Sequence, residues 1–185
     1  KKIFKEVVDD DFSLPKIDLI SIIIGGSNNH YDFSKKETEA LIIKIKELKK
    51  SNPKYNFLII FSRRTTKLTK SLISEHLSNM SDIIKDDEKN PYAYALKYSK
   101  FFIITSDSTS MISECAITGN PIYVFHLPYK RKSNRMEKFH KQFSGLNITK
   151  KLDNKNNLLP WFYNHLNESE RIASILKERI IKVQS

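Results

Sequence analysis

The sequence predicts an α/β fold built on a doubly wound, parallel β-sheet. Short apolar, β-branched runs at 18–24, 57–61, 101–105 and 121–126 alternate with longer segments whose apolar residues recur at helical spacing. The runs are continuously apolar rather than alternating, the pattern of strands covered on both faces. Right-handed crossovers between such strands distribute the helices over both sides of the sheet. The run Phe101-Phe102-Ile103-Ile104 also leads straight into Thr105-Ser106-Asp107-Ser108-Thr109-Ser110, a hydroxyl-rich turn that opens a short helix. Free backbone N–H groups and the positive end of the helix dipole meet at such a turn and favour an anion. Open α/β sheets hold nucleotides there, beyond the carboxyl ends of their strands.

Residues 1–18 are mixed and charged, with Pro15 near their end, and read as a linker or interdomain segment; residues 19–185 read as one Rossmann-like domain. The first strand, from Asp18 to Ile24, ends at Gly25-Gly26, and a polar loop covers 27–34. Ser34 with Glu37 three residues on is a capping-box signature for a helix that carries Leu41, Ile42, Ile45 and Leu48 and stops at Asn52-Pro53. The second strand, 57–61, precedes Ser62-Arg63-Arg64-Thr65-Thr66 and a helix over about 67–79 with Leu68, Leu72, Ile73 and Leu77 on one side. Ile83-Ile84 suggests a short third strand. Asn90-Pro91 starts a short helix, because Asn caps well and Pro suits a first turn. Strand 101–105, helix 109–118 and strand 121–126 follow. A basic stretch at 128–136 leads into a helix ending near Phe143, with a small strand expected near 146–149 and an Asn-rich turn at 153–157. The last helix, from Ser169 to about Val183, turns Ile172, Ile175, Leu176 and Ile180 inward.

At 185 residues the chain suits one domain with a proper core. It opens on Lys1 rather than Met, as a processed chain or a fragment does. No apolar run approaches the roughly 20 residues that cross a bilayer, and no signal peptide is read in it. The single Cys115 excludes an internal disulfide and falls at an apolar helix position, as a small buried hydrophobe. These features suggest a reducing, cytoplasmic setting. The net charge of +11 invites a nucleic-acid reading. It is set aside: the basic residues are overwhelmingly Lys, with Arg only at 63, 64, 131, 135, 171 and 179, and no aromatic–basic stacking motif or zinc pattern accompanies them. Lys, Ile and Asn share AT-rich codons, which accounts for much of the excess. A Lys-rich surface is still expected to attract phosphorylated ligands or anionic lipid headgroups, a peripheral membrane contact.

Three loops at strand ends carry the candidate chemistry. In Gly25-Gly26-Ser27-Asn28-Asn29-His30, paired glycines allow close backbone approach to a ligand and positive φ. The stretch is neither GxGxxG nor a Walker A loop. It reads equally as a tight turn, with His30 as a weak catalytic candidate or an ordinary loop histidine. In Ser62-Arg63-Arg64-Thr65, adjacent guanidinium groups are placed to pair with phosphate oxygens. Neighbouring side chains diverge, so one of the two is expected to reach a ligand; the alternative is a solvated basic corner. In the turn 105–110, the hydroxyls of Ser106, Ser108, Thr109 and Ser110 supplement the helix amides, and Asp107 reads as a cap or loop organiser that ties up N–H groups. Glu114 lies one turn beyond Ser110, off the core stripe of Ile112, Cys115 and Ala116, where a carboxylate can accept two hydrogen bonds from vicinal ribose hydroxyls. Tyr92, after Asn90-Pro91, could flank a base or simply pack. Arg135, Phe139 and His140 either line the same crevice or face a neighbouring domain. His126 reads as structural, and Trp161-Phe162-Tyr163 as core or interdomain packing. HExxH, CxxC and clustered carboxylates are all missing, so no metal is expected.

Taken in order, Gly25-Gly26…His30, Ser62-Arg63-Arg64-Thr65, Asn90-Pro91-Tyr92, Thr105-Ser106-Asp107-Ser108…Ser110-Met111…Ser113-Glu114 and Gly119-Asn120-Pro121 resemble the mitochondrial-fission "elongated mitochondria" family. Bacterial members of that family are often labelled predicted nucleoside-diphosphate-sugar epimerases, and the Lys-rich chain looks bacterial. The resemblance covers roughly 19–182 and departs mildly at Ser27, where the family usually has Pro. It implies a GT-B-like fold, of which this chain is the C-terminal, nucleotide-binding half, with the N-terminal partner domain outside it. It further implies that Glu114 meets ribose, that Gly25, Gly26, Ser108 and Thr109 meet the diphosphate, and that the ligand is a nucleoside-diphosphate sugar, UDP-linked by analogy, with no covalently bound cofactor. Glycosyl transfer, nucleotide-sugar epimerisation and a non-catalytic scaffold for protein partners all remain open; the half read here is expected to catalyse nothing alone.

Overall fold

The computed structural model describes residues 18–77, 91–153 and 158–164. The linker residues 1–17, the strand expected at Ile83-Ile84, Asn90, most of the turn at 153–157 and the helix expected from Ser169 lie outside them. Five strands form one sheet: β1 (Leu19–Ile24), β2 (Asn56–Phe61), β3 (Ser99–Thr105), β4 (Ile122–Phe125) and β5 (Thr149–Lys151). Five helices connect them: α1 (Lys35–Ser51), α2 (Lys67–His76), α3 (Tyr92–Tyr98), α4 (Thr109–Ala116) and α5 (Asn134–Gly145). The strand order is β2-β1-β3-β4-β5 and every pairing is parallel.

The continuous apolar strands divide their side chains between two cores, because successive residues point to opposite faces. Ile20, Ile22, Ile24, Phe57, Ile59, Phe101 and Ile103 meet Leu41, Ile45 and Leu48 of α1 and Ile73 of α2. Leu19, Ile23, Leu58, Ile60, Phe102 and Ile104 meet Tyr94 and Ala95 of α3, Ile112, Cys115 and Ala116 of α4, and Phe143 of α5. Helices therefore cover both faces, and the doubly wound reading holds. The one polar position in β1, Ser21, shares a 2.6 Å hydrogen bond with Ser99 of β3, which satisfies both buried hydroxyls.

Local signals account for most boundaries. Ser34 and Glu37 form the capping box of α1, Thr66 and Ser133 cap α2 and α5 through their side chains, and Asn52 closes α1. Two boundaries move. Helix α2 ends at His76 rather than 79. The small strand expected near 146–149 sits at Thr149–Lys151, because α5 runs on to Gly145 and then turns through Asn147 at φ 56°. Asn tolerates that left-handed conformation at a helix end, and Ile148 N–H closes the turn on the Phe143 carbonyl. Trp161 packs edge-on against Tyr123 and donates to Asn147 O, and Tyr163 donates to Asn120 O, so both serve the core as expected; Phe162 between them is 93% exposed.

This winding fixes where a site can form. The strand order reverses between β1 and β3, so the chain leaves β1 toward α1 on one face and leaves β3 toward α4 on the other. That reversal opens a crevice at the carboxyl ends of the two strands.

Candidate functional site

The turns after β1, β2 and β3 are stitched together at that edge. Thr65 Oγ donates to the carbonyls of Ile24 and Gly25 (2.7 and 2.8 Å), and Ser62 N–H donates to Ile24 O. Gly25 N–H donates to Thr105 Oγ at 2.8 Å, and Gly26 N–H to Asp107 Oδ2 at 3.0 Å. Arg64 closes the circuit with a 2.8 Å ion pair to the same Asp107 oxygen. The Asp107 side chain is fully buried while Arg64 stays half exposed, so the carboxylate is the organising member and the guanidinium its partly hydrated partner. Asp107 thus ties up an N–H group, as expected, but on a different loop from its own; Asp107 Oδ1 has no hydrogen-bond partner among the described residues.

These contacts correct the reading of the paired glycines. Neither has positive φ; among the described glycines only Gly119 does. Both are buried and both amides already donate to protein acceptors. The phosphate contact that the resemblance implied for Gly25 and Gly26 therefore has no free amide to use. What requires glycine is the closeness of the neighbouring turns. A Cβ on Gly25 would lie 2.1 Å from Asp107 Oδ2, and one on Gly26 2.1 Å from the Arg64 carbonyl oxygen.

A cleft of about 510 Å3 opens beside this junction, lined by Ser62, Arg63, Arg64 and Tyr92 on one side and by 107–111 on the other. The first turn of α4 borders this cleft. Ser108 occupies the N-cap of α4, but its hydroxyl lies 3.3 Å from Asp107 Oδ2 and caps no helix amide. Thr109, Ser110 and Met111, in the first turn of α4, line the cleft, and the first-turn amides receive no bond from the Ser108 side chain. Arg63 is exposed and has no ion-pair partner among the described residues. Of the two arginines, Arg64 is braced against Asp107 and Arg63 points to no charged partner among the described residues.

The other expected site residues fall outside the cleft lining. Ser106 is fully buried and accepts from Leu127 N–H, which ties β3 to the chain after β4. Ser27 accepts from Phe33 N–H and braces its own loop. His30 lies beside the basic stretch, its carbonyl accepting from the amides of Lys130 and Arg131, and it lines no cleft described here; its candidacy as a catalytic residue has no geometric support. Asn90 lies outside the described residues. Glu114 is exposed and stands behind Tyr92, whose hydroxyl donates to Glu114 Oε2 at 2.7 Å. Burial above all, then Cys115 and that hydrogen bond, pushes the Tyr92 phenol far above its ordinary range, so it remains a neutral donor.

His140 plays a part the sequence left open. Its Nε2 lies 2.9 Å from the Ser106 carbonyl oxygen, which can only accept, so Nε2 carries the proton. Burial holds this imidazole below the usual histidine value, against the upward pull of the carbonyl and of Asp107. Its neighbour His126, 5.3 Å away between ring centres, is brought down to about 4 by desolvation, then by His140 and Lys151. Both rings titrate more readily in the unfolded chain, so their stabilising contribution is complete above pH 6.5 and is lost as pH falls through the depressed folded values. Thermal melts between pH 8 and pH 5 are expected to show a falling Tm below pH 6.5, with a shallower fall in His140→Gln.

Fold and site together define a Rossmann-like domain of the GT-B-like class, with a cleft at the reversal of its strand order. The chain belongs to the mitochondrial fission ELM1 family, whose model matches residues 5–180. It is 35% identical over 162 residues to the uncharacterized protein RP120 of Rickettsia prowazekii (strain Madrid E), covering 85% of this chain and 45% of the relative. It is 30% identical over 100 residues to the mitochondrial fission protein ELM1 of Arabidopsis thaliana, covering 50% of this chain and 22% of the relative. The chain therefore spans less than half the length of these curated relatives. Two solved structures share the fold. One is assigned as a UDP-N-acetylglucosamine 2-epimerase from Listeria monocytogenes (TM-score 0.54, 12% identity, 83% of this chain and 39% of that one). The other is the UDP-GlcNAc 2-epimerase of Neisseria meningitidis bound to UDP-GlcNAc (TM-score 0.50, 16% identity, 77% and 34%). No described helix is long and apolar enough to cross a membrane.

Proposed function

We propose that the cleft between Ser62–Arg64 and 107–111 binds the nucleoside diphosphate of an activated sugar, a UDP-sugar by analogy, and that this chain is the nucleotide-binding part of a longer GT-B-type glycosyltransferase-like protein. One observation carries the reading. The amino terminus of α4 without a side-chain cap, the residues Thr109 and Ser110, and Arg63, which has no ion pair among the described residues, share one cleft at the reversal of strand order. Amide donors fixed there before a ligand arrives, with a guanidinium at the edge of the cleft, can stabilise the charge that grows on a departing diphosphate during glycosyl transfer. Tyr92 lines the same cleft and donates to Glu114, which supports a nucleoside extending toward this pair.

Calorimetric titration of the intact protein with UDP, GDP, their sugars and inorganic pyrophosphate tests this. UDP and a UDP-sugar are expected to bind below millimolar concentration, and Arg63→Ala to weaken both by roughly tenfold, the worth of one charge-assisted hydrogen bond. Glu114→Ala is expected to weaken UDP but not pyrophosphate if its carboxylate meets ribose. Equal UDP affinity in that variant removes the ribose assignment, and absence of binding by every nucleotide at millimolar concentration removes the reading as a whole.

A further inference from the structure

Thr109 and Ser110 also belong to a second cleft, of about 560 Å3, walled by α4 and α5. We propose that this second cleft is an anion subsite in which Arg135 and Lys138 hold a phosphate or carboxylate borne by the sugar or by its acceptor; the assignment deepens the nucleotide reading and takes its neighbouring ligand from it. Arg135, Lys138 and Gln142 lie at i, i+3 and i+7 of α5, so one face of the helix presents all three to the cleft. No carboxylate lines the cleft; Glu137, the acid in the first turn of α5, is not in its wall. Elsewhere on helices of this chain Lys35 pairs with Glu39 and Lys44 with Glu47, whereas Arg135 and Lys138 make no ion pair among the described residues. Two unpaired cations beside the open Ser110 end of α4 produce a positive field with no internal counter-charge. The apolar side chain of Phe139 completes this part of the wall and stacks on Phe143. The two clefts adjoin at α4, so one extended ligand, or a nucleotide sugar with its acceptor, can occupy both.

The test compares UDP-glucose with UDP-glucuronate, which differ by one carboxylate, and adds glucose 6-phosphate to the UDP-saturated protein, following the amide signals of Ser113 and Gln142. A roughly tenfold preference for the uronate, abolished in Arg135→Gln/Lys138→Gln, supports the subsite and places the anion on the sugar. Shifts at Ser113 and Gln142 on adding glucose 6-phosphate, absent in the same variant, support it and place the anion on the acceptor. Neither response, or a response that persists in the double variant, overturns it. Should UDP itself fail to bind, the nucleotide reading falls. The subsite is then judged alone by titrating glucose 6-phosphate into the ligand-free protein, where the same two amides must shift for the assignment to stand.

Discussion

Gly26→Ala is expected to destabilise the domain by about 3 kcal/mol or more, among the larger effects a single methyl group can have. The added Cβ would lie 2.1 Å from the Arg64 carbonyl oxygen and 2.6 Å from its carbonyl carbon. Those atoms are backbone and cannot swing aside as a side-chain end can. Relief requires the turn after β2 to move away from the turn after β1. That movement would stretch the contacts of Thr65 Oγ with Ile24 O and Gly25 O, and the Gly26 N–H bond to Asp107. The measurement is the urea midpoint of the variant beside Gly145→Ala. Gly145 has nothing within 4 Å of its missing Cβ, and Ala there should be neutral or stabilising by up to about 1 kcal/mol. Matching midpoints for the two variants would show that the turns are not packed as described.

Asp107→Asn is expected to move stability and anion affinity in opposite directions. The carboxylate oxygen that accepts from Gly26 N–H also holds Arg64, and the side chain is fully buried. Asn keeps the shape and one acceptor but loses the charge, so one of the two partners is left poorly met. The cost is about 1–3 kcal/mol, limited because Arg64 is half exposed and water can take up its guanidinium. At the same time a negative charge leaves the wall of a cleft proposed to hold diphosphate, and Arg64 becomes free to turn toward it. Binding of UDP, measured well below the melting temperature and at low salt, is expected to tighten. A weaker complex in a folded Asp107→Asn protein would mean that Asp107 organises the cleft more than it opposes the ligand.

Much of this architecture was legible in the residues. Continuous Ile, Phe and Leu runs separated by helical periodicities can bury themselves on both faces only in a parallel sheet with helices on either side. Ser34 with Glu37 marks the start of α1 locally, and the structure keeps that capping box. What stayed hidden is cross-loop chemistry. Asp107 meets Gly26 across 81 residues and Arg64 across 43, and nothing local distinguishes such a carboxylate from an ordinary cap. The glycines were legible as special but not for the right reason, because the crowding that requires them comes from the turns after β2 and β3. Ser106 shows the same limit. Four hydroxyls in one turn look alike in sequence, yet the direction of the backbone sends this one into the core and leaves Thr109 and Ser110 at the surface of two clefts. The second cleft was only half visible: Arg135 and Phe139 stood out, but their association with α4 depends on how α5 lies over the sheet.

The 80 residues between Gly25 and the Thr105 side chain that receives its amide also set a timetable for synthesis. At about 5–20 residues per second, a ribosome needs roughly 4 to 16 s to deliver Thr105 after Gly25 has been made. For that interval β1 has at most one of its two neighbours, β2 and β3, and its edge of unpaired N–H and C=O groups is open to any passing strand. The nascent chain should therefore depend most on chaperone protection while the stretch from Gly25 to Thr105 is being made, before either cleft exists.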